Sequence, residues 1–396
     1  MADLEDDPHA ATAAVGDLDG PAPPSRRVSD EPTELAEPTE LAESAEPTDV
    51  AELAEPTDVA VPVEPTDVAV PAGSLERARE LLAAHPIADG HSGLAGALKY
   101  ASGYGYDIEL GERVLETDVP RLRDGCVGAQ FLSLHVPPEL TGDRALSATL
   151  EQIDLVRSLV AACPEGLRLA LSADDMADAH NCGRVATLLG PVSGPALGDS
   201  LGTLRAYHAL GVRSLTLAGT RWTQGTGLTR FGQEVVREMN RLGVLVDLAG
   251  CSADTMRRAL AVAGAPVVIS HHPARVPDDV LGLLRDNHGV CMVACTATTI
   301  RETADHLDHV REVAGPESVA LSGAYDTGTP HAPGLGDVSC FPRVIAELLD
   351  RDWPEPDIEA LTWSNVSRVL RDAEFLARAT NPRRPPSTAT LPALDT

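Results

Sequence analysis

Lysine is almost missing from this 396-residue chain: Lys99 stands alone, and every other strong base is arginine. Aromatic residues make up only 3%, against 43% apolar residues in all, so any core must be built from Leu, Val and Ala. Positive charge is scarce as well. Sixty acids against 31 bases leave a net charge of -29. Nucleic-acid binding needs clustered Lys and Arg against phosphate, which this balance argues against. It argues equally against attraction to an anionic membrane surface. No apolar run approaches the roughly 18 residues of a membrane span. The opening Met1-Ala-Asp-Leu-Glu-Asp-Asp7 has neither a basic stretch nor an apolar one, so no signal peptide is expected. The seven cysteines, at 126, 163, 182, 251, 291, 295 and 340, form no C-x-x-C pair. Reduced, mostly buried thiols in a cytoplasmic protein are the expectation.

What is present falls into three parts. Residues 1–73 read as a disordered acidic tail. Glu-Pro-Thr recurs from Glu31, Glu37, Glu46, Glu55 and Glu64, and Pro in each unit blocks a continuous helix. Nineteen acids against Arg26 and Arg27 place -17 of the net charge there. Residues 74–378 alternate apolar β-like runs with amphipathic helical stretches, and 379–396 read as a Pro-rich disordered tail. The candidate strands are 86–88, Val127–Leu134, 167–171, 214–217, 242–247, 267–270, Val290–Ala294 and Val319–Ser322. Helices are expected over 146–162, 200–210, 229–241, 253–263, 277–287 and 306–314. About eight strands, most followed by a helix, is the count of an α/β (β/α)8 TIM barrel. No Gly-rich phosphate loop follows a strand, which weakens a doubly wound alternative. In such a barrel, polar residues at the C-terminal strand ends face the mouth. Those ends are Asp89-Gly-His91, Ala218-Gly219, Asp247-Leu-Ala-Gly250, Ser270-His-His272 and Gly323-Ala-Tyr-Asp326.

These residues carry a resemblance. Ile87-Ala-Asp-Gly-His-Ser-Gly-Leu94 is similar to the D-G-H-N-D-L opening of the renal (membrane) dipeptidase family of zinc metallopeptidases. The likeness continues through Thr117–Gln130, Gly198–Arg205, Leu228–Leu248, Ala265–His271, 304–310 and 365–370. It implies a metallo-dependent-hydrolase-like barrel with two bridged zinc ions at its mouth, and by analogy a homodimer. Carried over one position at a time, the resemblance keeps His91 and His271 as metal ligands. It places Gly93 at a ligand Asp, Val192 at the bridging Glu and Gly250 at a ligand His. Ala324 stands at the proton-shuttling Asp, leaving only the second Asp of that motif, Asp326. Gly219 replaces a substrate-contacting His, and Arg275 falls beside the position of a substrate-binding Arg.

Two ligands of five imply a degenerate zinc site, because a stable site needs three or four protein ligands. The residual pocket is then His91, His271, His272, Asp326 and Arg275. No cofactor is expected unless the site is rebuilt, in which case it is zinc. Asp89 and Asp247 read as structural carboxylates, Cys251 as a buried apolar group, and the His306/His309 pair as a solvated helix face. The expectation is a catalytically impaired homologue that keeps a pocket for a small peptide-like or amino-acid-derived ligand, or serves as a partner subunit. The alternatives are an active zinc dipeptidase and metal-free chemistry in the same pocket.

Overall fold

The first barrel strand, β1 (Ile87–Ser92), begins where Pro86 ends the helix Ala72–Ala84, and all six of its residues are buried. The computed structural model describes residues 72–100, 108, 115–224, 227–271, 275–380 and 383–395. The acidic tail up to residue 71 lies outside them, as does His272. The further strands are β2 (Val127–Leu134), β3 (Leu167–Leu169), β4 (Val185–Val192), β5 (Ser214–Thr216), β6 (Leu245–Asp247), β7 (Val268–Ile269), β8 (Val290–Ala294) and β9 (Val319–Ser322). All pair in parallel, in the order β1-β2-β4-β5-β6-β7-β8-β9, with β3 attached to β4 off this path. The ring is drawn together between β1 and β9, where Ala324 N–H donates to the His91 carbonyl (2.9 Å) and Ser92 bridges Tyr325. The expected eight-stranded α/β barrel is therefore present.

One barrel strand differs from the sequence reading. The run at 167–171 is the side strand β3, and the true barrel member is β4. Gly190-Pro191, a cis peptide, lies inside β4, where proline and glycine read as a turn. The strand accommodates them with a bulge: Leu132 pairs Leu189 and Leu134 pairs Val192, so three steps on β4 face two on β2.

Alternate strand residues build two separate apolar clusters, as a period of two dictates. Ala88, Ala129, Phe131, Ala186, Leu188, Leu245, Val268, Val290, Met292 and Ala320 fill the barrel, and the cluster runs on into Val366, Val369 and Leu370 of the C-terminal helix Asn365–Thr380. The opposite faces pack on the surrounding helices. Several of these helices start on side-chain caps: Ser172, Ser200, Thr229, Ser252 and Thr299 each accept a backbone N–H three residues on. Among the described residues no helix is long and apolar enough to cross a membrane.

The C-terminal segment corrects another expectation. Residues 383–395 run along the helix Arg230–Leu242 rather than forming a tail without structure. Arg384 bonds Glu234 (2.5 Å), Ser387 N–H reaches Glu238 (3.4 Å), and Asp395 accepts from Thr229 Oγ1 (2.5 Å) and Phe231 N–H (3.2 Å). The helix supplies the charges and first-turn amides that hold this Pro-rich segment, and Ala389, Leu391 and Leu394 pack against the apolar core.

Candidate functional site

Within β1, Asp89 is wholly buried. It accepts from Gly323 N–H (2.6 Å), Gln130 Nε2 (3.1 Å) and His91 N–H (3.2 Å). It thus clamps β1 to β2 and β9, the structural role expected of it. Burial pushes its carboxyl up to about 6, against the pull of those donors. Asp247 does the same across β5, β6 and β7, taking Thr216 Oγ1 (2.7 Å), Ser270 Oγ (2.7 Å), Ser270 N–H (2.9 Å) and Ala249 N–H (3.0 Å).

These clamps bring His91 and His271 together at the mouth. Their rings lie 4.1 Å apart, centre to centre, tilted by 44°. His271 Nδ1 is 3.3 Å from Ser270 Oγ. Burial holds His91 well below the usual imidazole range, with His271 and then His135 adding to the effect, so the ring is neutral at pH 7. Its Nδ1 is buried without a hydrogen-bond partner. His135, one residue beyond β2, faces Ser193, one residue beyond β4, with Nδ1 2.9 Å from Ser193 Oγ. The strand-end rule could have found His135. Ser193 was hidden with β4 itself.

The four positions that the resemblance reads as substituted behave differently from one another. Val192 is fully buried, paired with Leu134 and Leu215. Gly250 and Ala324 hold left-handed backbone, with φ of 71° and 53°. Gly93 is sealed: its N–H donates to the Tyr325 carbonyl (2.7 Å), and a Cβ there would stand 2.3 Å from the Asp326 carbonyl oxygen. Asp326, expected in the pocket, sends Oδ1 to Glu116 N–H (2.8 Å) instead.

Arg275 is exposed and lines a cavity of about 260 Å³ between β8 and the helices Asp278–Asp286 and Ile300–Ala314. Val276, Leu281, Cys291, Val293 and Val310 contribute apolar walls, with Glu302, His306 and His309 as polar lining. His309 also bonds Asp278 (2.8 Å), so this histidine pair borders a cavity rather than a plain solvated face. Cys251 is pushed up to about 12 by burial and by Asp247, which leaves it no thiolate for nucleophilic attack.

Comparison with known proteins bears on this mouth. The model of the membrane dipeptidase family (peptidase family M19) matches residues 75–384. The chain belongs to that family. It is 37% identical over 332 residues to Dipeptidase 3 of Mus musculus, covering 76% of this chain and 66% of the relative. It thus spans about two thirds of that relative's length. The probable dipeptidase PvdM from Pseudomonas aeruginosa superposes with a TM-score of 0.71 at 18% identity, over 78% of this chain and all of that one. A metallo peptidase from Rhodobacter sphaeroides, solved with a phosphinate mimic of the dipeptide L-Ala-D-Ala, gives a TM-score of 0.66 at 21% identity over 73% and 99%. Both show the same fold.

Membership corrects the expectation that no cofactor is involved, since the family is one of metallopeptidases. The residues present can be weighed against such a metal. A catalytic zinc takes three protein ligands and an open position. Among the described residues no group of three His, Cys, Asp or Glu is arranged to hold a metal ion. Two facing imidazoles, one with an unpartnered buried Nδ1, and His135 beside Ser193 are the imidazoles of the described mouth, and they are not gathered into a group of three that would hold a metal.

Proposed function

We propose that this family member carries a degenerate dinuclear site, hydrolyses dipeptides poorly or not at all, and retains a pocket for a small peptide-like ligand. The observation that carries the reading is the donor set. Val192 supplies no bridging carboxylate, Gly250 no imidazole and Gly93 no side chain, while His91 and His271 remain. Without a held and activated water, the residues can bind and orient a peptide but lack the groups to cleave it. The cavity beside β8 suits such a ligand: apolar walls, Arg275 for a carboxylate, and the polar groups of Glu302, His306 and His309. An assembly as a homodimer and a cytoplasmic location go with this reading.

A second reading, an active zinc-dependent dipeptidase, draws on the 37% identity to Dipeptidase 3. One experiment separates the two. The purified full chain is dialysed against zinc and then against metal-free buffer, and its metal content is read by elemental analysis alongside hydrolysis and calorimetric binding of unblocked dipeptides. Binding with impaired turnover supports the first reading. Two retained zincs per chain with turnover that chelation abolishes and zinc restores would overturn it.

A further inference from the structure

Where β2 and β4 run out at the mouth, the chain sets a histidine against a serine. Ala129 and Phe131 of β2 belong to the cluster that fills the barrel, and the strand's period of two carries the same row on to His135. On β4, beyond the bulge, Val192 pairs Leu134, and both belong to the outer cluster. The next residue of each strand, His135 and Ser193, therefore falls on the inner row, one opposite the other. Ser193 Oγ lies 2.9 Å from His135 Nδ1.

The surroundings hold this pair in place. Ser193 stands at the N-cap of the short 3-10 turn Gly194–Leu197, where a serine hydroxyl ordinarily accepts a backbone N–H, yet it makes no such bond. The hydroxyl is left to the imidazole. His135 is anchored through its carbonyl, which accepts from Nε2 of the buried Gln152 (2.8 Å) on the helix Asp143–Ala162. Ser193 is 8% exposed and His135 is an exposed residue, so the pair is fixed from below and reached from solvent. With the ring proton on Nε2, Nδ1 accepts the serine hydroxyl. Burial holds the imidazole below its usual range, which keeps it neutral at pH 7. A serine hydroxyl donating to a neutral imidazole is the pairing of a nucleophile with its general base.

We propose that Ser193 and His135 form a metal-independent catalytic dyad that hydrolyses small carboxylic esters, an activity separate from the peptide reading above. Ser193 Oγ adds to the ester carbonyl carbon while its proton passes to His135 Nδ1. The adduct collapses, the bond to the alcohol oxygen breaks, and the alcohol leaves with that proton. Water then adds to the acyl-serine, giving a proton to His135, and the acid departs as the serine takes the proton back. Among the described residues no carboxylate bonds the His135 ring, so the base lacks the third group of a triad. Esters with good leaving groups are within reach of such a pair, and the amide of a dipeptide is not.

The test uses the full chain, held in chelator throughout. p-Nitrophenyl acetate should be hydrolysed, and a fluorophosphonate should add covalently at Ser193, located by peptide mapping. Ser193→Ala should abolish the adduct. Ser193→Ala and His135→Gln should each lower kcat/KM for the ester at least about 100-fold while melting close to the parent. Glutamine can share a hydrogen bond with the serine but cannot take its proton, so a merely structural contact would leave the His135→Gln rate unchanged. His135→Gln also carries the test alone if Ser193→Ala fails to fold. No adduct, an adduct at another residue, an unchanged ester rate in a folded variant, or hydrolysis that appears only when zinc is returned would each overturn the proposal.

Discussion

A methyl group at residue 93 would stand 2.3 Å from the Asp326 carbonyl oxygen and 2.7 Å from its carbon. Neither atom belongs to a flexible side chain. The backbone around them is stitched by Gly93 N–H to the Tyr325 carbonyl (2.7 Å) and Ala324 N–H to the His91 carbonyl (2.9 Å), with Gly323 N–H held by Asp89 (2.6 Å). Relief requires the two strands' extensions to part. Overpacking of this kind costs about 1–3 kcal/mol. Losing one or two of the hydrogen bonds adds about 1 kcal/mol each. Gly93→Ala should therefore lose about 2–5 kcal/mol, and Gly93→Asp at least as much, since the carboxylate must share the same space. Urea unfolding of the full chain measures it. Gly96→Ala is the internal control: that Cβ meets nothing closer than the His135 carbonyl oxygen at 3.9 Å, within the helix Leu94–Tyr100. There alanine should stabilise by up to about 1 kcal/mol. If Gly93→Ala unfolds at the parent midpoint, the reasoning about the seal is wrong.

Three further outcomes are expected. His91 is held below its unfolded value, so the stability it contributes is present above about pH 6.5 and is lost as pH falls through that point. Asp89 and Asp326 act oppositely: raised to about 6, they lose stability as pH rises from about 4 to 6. His91→Gln should thus become more stable, relative to the parent, on going from pH 7 to 5, and an unchanged difference in melting temperature would contradict this. Glu238 is fully buried between Arg241 (2.8 Å) and Arg205 (2.9 Å), and Glu238→Ala should cost about 3–5 kcal/mol in denaturant unfolding. Asp395→Ala removes the carboxylate at the start of the helix Arg230–Leu242 and should cost about 0.5–2 kcal/mol, read as a lower melting temperature.

The barrel was legible because its strands are nearly continuous apolar runs. Val127–Leu134, Val290–Ala294 and Val319–Ser322 appear in the structure with the limits the sequence suggested. Strand β4 was not, because Gly190-Pro191 is punctuation locally and becomes strand only when β2 supplies a partner. The mouth was half legible. His91 and His271, which the family resemblance singled out, lie side by side, whereas Asp326 turns to Glu116, some 210 positions away in sequence, which no local pattern encodes.

The seal at residue 93 also bears on reversibility over evolutionary time. No single codon change that adds a side chain at residue 93 fits this backbone, because the connection after β9 occupies the space a Cβ would need. A larger residue there would need concerted remodelling of that connection. A tight backbone contact of this sort works as a ratchet, steering later selection toward uses of the pocket that leave it closed.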